Sequence, residues 1–279
     1  MWFILSIAAG LLFAINKVIF RKVFAGDVNP IAFFSIHDLL AGLLLTPIAA
    51  YYFSYPATIT GWVYLALAII FLFGADLFAA LSLSRTEASL YQIAVQLRNV
   101  ITLIGGFIFF SETITYLKVL SIVLIFLGVF VAMKINSKLT IDKGILYAIT
   151  SGVSIAIAFL FVKQLSKDMK PEMIASLGLM GAGILGLLTF KLRNKRVHIS
   201  SLKTHIKPLV IAAFIFAVFE LVQFQALNLG QASKVTPASQ SSMIFTLIGG
   251  YIFLKERSML KRKIIGSLII VVGISLLVV

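Results

Sequence analysis

The chain contains no cysteine. Disulfides and thiolate chemistry are therefore excluded, and the redox compartment goes unmarked. Charge is scarce as well: 12% of the 279 residues are charged, against about 25% in a soluble domain. No G-x-x-x-x-G-K-[ST] phosphate loop occurs, so ATP hydrolysis is not expected. H-E-x-x-H and G-x-S-x-G are missing too, and His37, His198 and His205 are too scattered for a metal site. A net charge of +14 could suggest nucleic acid, but no RNP-like, zinc-finger or helix-turn-helix pattern supports it. The expectation is a chain with no cofactor, no metal and no nucleic-acid partner.

What the chain does have is apolar surface. Its hydrophobic fraction is 61%, against about 45–50% for soluble domains. No soluble fold of this length covers so much apolar surface, so lipid must. A spanning helix needs roughly 20 predominantly apolar residues. About ten runs qualify: near 2–20, 31–53, 60–83, 89–110 and 116–134, then near 144–164, 172–190, 207–229, 235–254 and 262–279. The first starts at Trp2 with no basic segment before it and no small-residue cleavage site, and reads as a retained helix rather than a signal peptide. The expected fold is an all-α integral membrane protein.

A repeated phrase divides it. Residues 103–112 read LIGGFIFFSE and residues 247–256 read LIGGYIFLKE, an offset of 144 (247 − 103). At that offset Ala88-Ser89 falls on Ala232-Ser233, Gln96 on Gln240, Thr102 on Thr246 and Asp76 on Glu220. Such duplication is the mark of repeat-built transporter folds. The expected division is a first five-helix unit over 1–134, a linker over 135–143 and a second unit over 144–279.

An odd number of spans per unit turns the second copy upside down in the membrane. Basic residues gather on the cytoplasmic side, so matching loops should differ in charge. The loop after the first phrase carries Lys118; its counterpart carries Lys255, Arg257, Lys261, Arg262 and Lys263. SYPATIT carries none; its counterpart carries Lys191, Arg193, Lys195, Arg196, Lys203 and Lys207. Lys163, Lys167 and Lys170 depart mildly from the trend. Loops 191–206 and 255–263 are thus expected in the cytoplasm, with both ends of the chain outside and a multi-pass location in the plasma membrane.

Two five-helix halves, each with an AS…LIGG…E segment, resemble the EamA domain of the drug/metabolite transporter superfamily. The residues that carry the resemblance are Ala88, Ser89, Gly105, Gly106 and Glu112, then Ala232, Ser233, Gly249, Gly250 and Glu256. Pro237 sits where such halves often carry proline; the first half has Ile93. The resemblance implies inverted repeats around a central cavity open alternately to each side, with small molecules as substrates, usually for export. An ion gradient, a substrate gradient or exchange would then supply the energy.

Charges inside a span cost about 2.5–3.5 kcal/mol at its centre on insertion scales, so they mark a cavity or a pair. Lys17, His37, Asp38, Asp76, Arg98 and Glu220 qualify. Asp76 and Glu220 hold matching positions, and apolar surroundings disfavour the charged form of a carboxyl. Together with Asp38 they are the candidates for proton or ion coupling; the plainer reading pairs each with a base such as Arg98 or Lys17. Gln92, Gln96 and Asn99 form one polar stripe, with Tyr91 and Arg98 beside it. Thr236, Ser239, Gln240, Ser242 and Thr246 line the matching span, and Gln223 shares a face with Glu220. We expect Arg98, Tyr91, Gln92, Gln96, Asn99, Ser239, Gln240, Ser242 and Gln223 to bind substrate; interhelical hydrogen bonding is the bland alternative. For His37 the expectation is a buried imidazole satisfied by a neighbour. Glu112 and Glu256 are expected as helix-end residues that accept backbone N–H groups at the start of the next helix.

Arg98 suits a carboxylate and the acids suit an ammonium, so an amino acid or similar metabolite is the expected substrate. Proton-coupled efflux of cationic drugs is an alternative. An intramembrane lipid-modifying enzyme, or a purely structural membrane protein, fits less well, since the two-copy plan and the polar stripes would then have no use.

Overall fold

A computed structural model describes residues 1–26, 28–111, 113, 115–132, 142–193 and 205–278. Glu112, His198 and most of the basic loop 191–206 thus lie outside the described residues, as does most of the 135–143 linker.

The described residues form helices and no strands. In order they are α1 (Trp2–Phe24), α2 (Pro30–Tyr51), α3 (Ile59–Leu83), α4 (Ala88–Ala94), α5 (Arg98–Phe110) and α6 (Tyr116–Ala132). Then follow α7 (Lys143–Leu165), α8 (Pro171–Arg193), α9 (Ile206–Leu229), α10 (Ala232–Ala238), α11 (Ser242–Phe253) and α12 (Leu260–Val278). Among the described residues seven helical stretches are long and apolar enough to cross a membrane, counting Ala88–Phe110 as one; Tyr116–Ala132 is a shorter apolar helix. The expected ten spans are therefore not all met on length and apolarity alone. α12 begins with three bases, Lys261, Arg262 and Lys263, which dilute its apolar run.

Local chemistry sets the helix ends. Asn29 caps α2, its Oδ1 accepting from Ile31 N at 3.0 Å and Ala32 N at 3.2 Å, with Pro30 at the first helical position. Thr58 caps α3 and Asp142 caps α7 in the same way, at 3.1 and 2.8 Å.

The two halves repeat at the level of single turns. Each phrase-bearing span is interrupted by a three-residue 3₁₀ turn, Val95–Leu97 in the first and Ser239–Ser241 in the second, 144 residues apart (239 − 95). Each is packed by a glycine of the other half. A Cβ on Gly10 of α1 would stand 2.6 Å from Ser239 O, and one on Gly152 of α7 would stand 2.9 Å from Val95 O. At the ninth position of each phrase, Ser111 and Lys255 take matching left-handed backbone conformations, φ 53° and 56°.

Helix pairing follows the same exchange. α1 packs on α9 as α7 packs on α3, and α1 on α11 as α7 on α5. α2 with α8, and α6 with α12, are their own images. The α2–α8 crossing is close because a Cβ on Gly42 would lie 2.9 Å from Ser176 O, and one on Gly183 2.8 Å from Ser35 O. Lipid tails are as apolar as leucine, so contact between helices rests on such close approach rather than on the hydrophobic effect. Of the glycines on α8, Gly183 and Gly186 face α2, while Gly178 and Gly181 face Leu72 and Ile69 of α3.

Candidate functional site

α1, α2, α3, α4, α5 and α9 converge on a polar centre. Lys17, His37, Asp38, Asp76, Tyr91, Arg98 and Glu220 are all buried there, none more than 6% exposed. Arg98 is the first residue of α5, directly after the 3₁₀ turn. The charges of Asp76, Asp38, Lys17 and Arg98 all act on Glu220, and those of Lys17, Asp76 and Arg98 on Tyr91, so these side chains form one electrostatic group.

Lys17 supplies its main ion pair. Its Nζ lies 3.5 Å from Asp76 Oδ1. Three rings complete the enclosure, with centroids 4.7 Å (Phe13), 5.1 Å (Phe20) and 5.1 Å (Phe216) from Nζ. Cation–π attraction is strongest where water is excluded. Next to it His37 Nδ1 stands 2.7 Å from Asp38 Oδ1, and Asn16 Nδ2 stands 3.0 Å from His37 Nε2 and 3.1 Å from Ala212 O. The ring has a polar partner at each nitrogen, Asp38 at one and Asn16 at the other. His37 is thus the satisfied imidazole expected of it, and Asn16 is a partner the sequence did not single out.

Arg98 differs from Lys17. Among the described residues it makes no ion pair, its Nε has no hydrogen-bond acceptor, and its nearest aromatic face is Phe13, with the ring centroid 5.8 Å away. Glu220 Oε2, Asp38 Oδ2 and both polar atoms of the Gln223 amide are also buried without partners. Leaving one such group unpaired costs about 1–3 kcal/mol, and more if charged. These groups cluster at the junction of the two repeats.

The stripe residues divide between the two readings. Gln92 Nε2 donates to Ser242 Oγ at 2.6 Å, joining α4 to α11 across the halves. Tyr91 Oη stands 3.1 Å from Ser151 Oγ of α7, whose hydroxyl donates to Ala75 O at 2.8 Å. Gln96 donates to Gln92 O, Asn99 to Gln96 O, and Gln240 and Ser239 to Thr236 O, all at 2.8–3.0 Å within their own spans. Yet among the described residues Oε1 of Gln92, Oε1 of Gln240 and Oδ1 of Asn99 have no hydrogen-bond partner. Tyr91 and Gln92 thus tie helices together.

Glu256 departs from expectation. It accepts Ala88 N–H at 2.7 Å, Ser89 N–H at 3.1 Å and the Ser89 hydroxyl at 2.6 Å. It therefore caps α4 in the opposite half, not the helix that follows it. The reach requires Gly250, where a Cβ would stand 2.8 Å from Glu256 Oε2. Lys263 braces the cap from α12, pairing with Glu87 and donating to Ser89 Oγ at 2.9 Å. The AS and GG…E motifs are two sides of one joint. On other faces Arg21 donates to Leu83 O at 2.9 Å and Lys163 to Leu227 O at 2.6 Å, so each half caps the helix end of the third span beside it.

A helical chain with several membrane-capable helices, folded as two like halves on a buried polar centre, has the build of a repeat-based membrane transporter. Residues 1–134 and 142–279 each match the EamA-like transporter family, and the chain belongs to that family. The resemblance carried by the repeated phrase is thereby confirmed, and the chain is a membrane protein of a transporter family. Among solved structures 27 chains match. One, described only as the crystal structure of a protein, is 15% identical with a TM-score of 0.68, covering 99% of this chain and 95% of its own, a likeness of fold. No curated protein matches the chain.

Proposed function

We propose that the chain is a secondary active transporter of the plasma membrane that exports amino acids or similar small metabolites by alternating access. In this reading ten spans form two inverted halves, 1–134 and 144–279, joined by 135–143, with loops 191–206 and 255–263 in the cytoplasm. The chain performs no chemistry on what it carries.

One observation carries the substrate reading: among the described residues Arg98 is buried at the repeat junction without an ion pair, while acids and amides around it keep unpaired atoms. Arg98 takes the substrate carboxylate by paired N–H donors. Glu220 and Asp38 take its ammonium group, and Gln223, Gln92, Gln96, Asn99, Ser239, Gln240 and Ser242 supply polar wall. Asp76 and Glu220 carry the coupling proton or ion. A second reading, efflux of organic cations, is favoured by the three phenyl rings around the Lys17 ammonium.

A ligand-stabilisation screen across amino acids, nucleosides and organic cations tests both, since a bound species raises the melting temperature by mass action. Amino acids should stabilise the wild type and not Arg98→Gln. Stabilisation by organic cations alone would favour efflux. Equal stabilisation of both proteins by amino acids would remove Arg98 from the site.

A further inference from the structure

Two grooves run along the outside of the molecule, and the repeat makes them copies of one another. One, of 320 Å3, lies between α5 and α7 with Gly105 and Leu160 at its floor. The other, of 420 Å3, lies between α1 and α11 with Gly249 and Val18 at its floor. Ile104 in the first matches Ile248 in the second, each about half exposed on the outer surface, at 47% and 49%. Both walls are apolar almost throughout, so in a bilayer an acyl chain faces each.

The copies differ at one end. Where the α5–α7 groove ends on Gln164, the α1–α11 groove ends on Lys22, the matching residue (164 − 22 = 142, as 152 − 10 = 142 for Gly152 and Gly10). Lys22 is exposed, and its neighbour Arg21 is held on Leu83 O. A further cavity of 420 Å3 shares Ile19 and Lys22 with the groove and runs on to His205 and Pro208 at the start of α9. An apolar trough thus opens, at its basic end, into a more polar space.

We propose that the α1–α11 groove binds one lipid with an anionic phosphate headgroup, its acyl chain along Val18, Gly249 and Ile248 and its phosphate at Lys22. A chain that moves from bilayer to groove exchanges one apolar setting for another, so the chain alone selects nothing. Selection comes from the Lys22 ammonium at the end, which favours a headgroup of net negative charge over a zwitterion whose own ammonium neutralises its phosphate. In the α5–α7 groove the matching lining residue is the neutral amide of Gln164, and Lys167 at that end stands over the Phe110 ring, 5.8 Å from its centroid. The site is independent of the substrate reading above.

Protein reconstituted in vesicles of equimolar phosphatidylglycerol and phosphatidylcholine, then released into native mass spectrometry, tests the proposal. The wild type should retain one phosphatidylglycerol, about fivefold over phosphatidylcholine for a single base. K22Q should retain both lipids equally, and I248W, which fills the trough, should lose the bound lipid. Q164K should retain a second phosphatidylglycerol. No headgroup preference in the wild type, an unchanged preference in K22Q, an unchanged bound lipid in I248W or no second lipid in Q164K would each overturn it.

Discussion

Substituting Lys17 by methionine should be among the most destabilising single changes in the chain. Its Nζ sits 3.5 Å from Asp76 Oδ1, with both side chains buried. At an effective dielectric constant of about 20 that separation is worth about 5 kcal/mol of attraction. Desolvation of two ions, several kcal/mol each, offsets most of it, so the pair adds little net stability. Breaking it is another matter. Lys17→Met leaves Asp76 buried with Asp38 and Glu220 as its acidic neighbours, and a loss of about 3–5 kcal/mol is expected. Asp76→Leu should cost less, because the Phe13, Phe20 and Phe216 rings still face the ammonium, at about 0.5–2 kcal/mol of cation–π attraction. The double variant, an apolar pair of similar volume, should recover at least about 2 kcal/mol of the summed losses. Equilibrium unfolding in mixed micelles gives all four corners of the cycle. A coupling energy below about 0.5 kcal/mol would refute the reasoning, since the two groups would then not form a pair.

Other consequences are as specific. Glu256→Gln should lower unfolding stability by about 2–3 kcal/mol, since an ionised acceptor of three hydrogen bonds at the start of α4 becomes a neutral one; Ser89→Ala in the same assay should cost less. Gly10→Leu and Gly152→Leu should each cost about 1–3 kcal/mol in thermal melts by overpacking the 3₁₀ turns. Gly74→Ala, whose Cβ would meet Ser154 at an ordinary 3.4 Å, should be nearly neutral as the control. The cysteine-free chain suits single-cysteine labelling: an impermeant maleimide should reach Ala57→Cys from outside and Ser258→Cys only after permeabilisation, and the reverse pattern would invert the topology.

The halves were legible because duplication leaves identities at a fixed offset. LIGG and AS recur 144 residues apart (247 − 103), and Asp76 falls on Glu220. Each landmark proved to sit at equivalent places in the fold. The buried charges were legible for a different reason: an ionisable group in a long apolar run is costly wherever it lies. What periodicity cannot give is the partner. It puts Gln92, Gln96 and Asn99 on one stripe but does not show that Gln92 donates to Ser242 of the other half. It marks Glu256 as a helix-end acid but not which helix end, because the choice depends on a fold back past Gly250 and across the repeat interface. Nor does it show the 3₁₀ turns, which carry no proline or glycine of their own in Val95–Leu97 or Ser239–Ser241 and lie where glycines of α1 and α7 press against them. Asn16 carries no signal in the sequence because a lone amide in an apolar helix has no signature apart from the His37 ring beside it.

Counterflow of a labelled amino acid in proteoliposomes tests the central claim most directly, that solute crosses at the buried centre between the two halves. The wild type should accumulate label transiently against unlabelled substrate inside, while Arg98→Gln and Glu220→Gln, if folded by their melting profiles, should not. Undiminished counterflow in both variants would contradict the account.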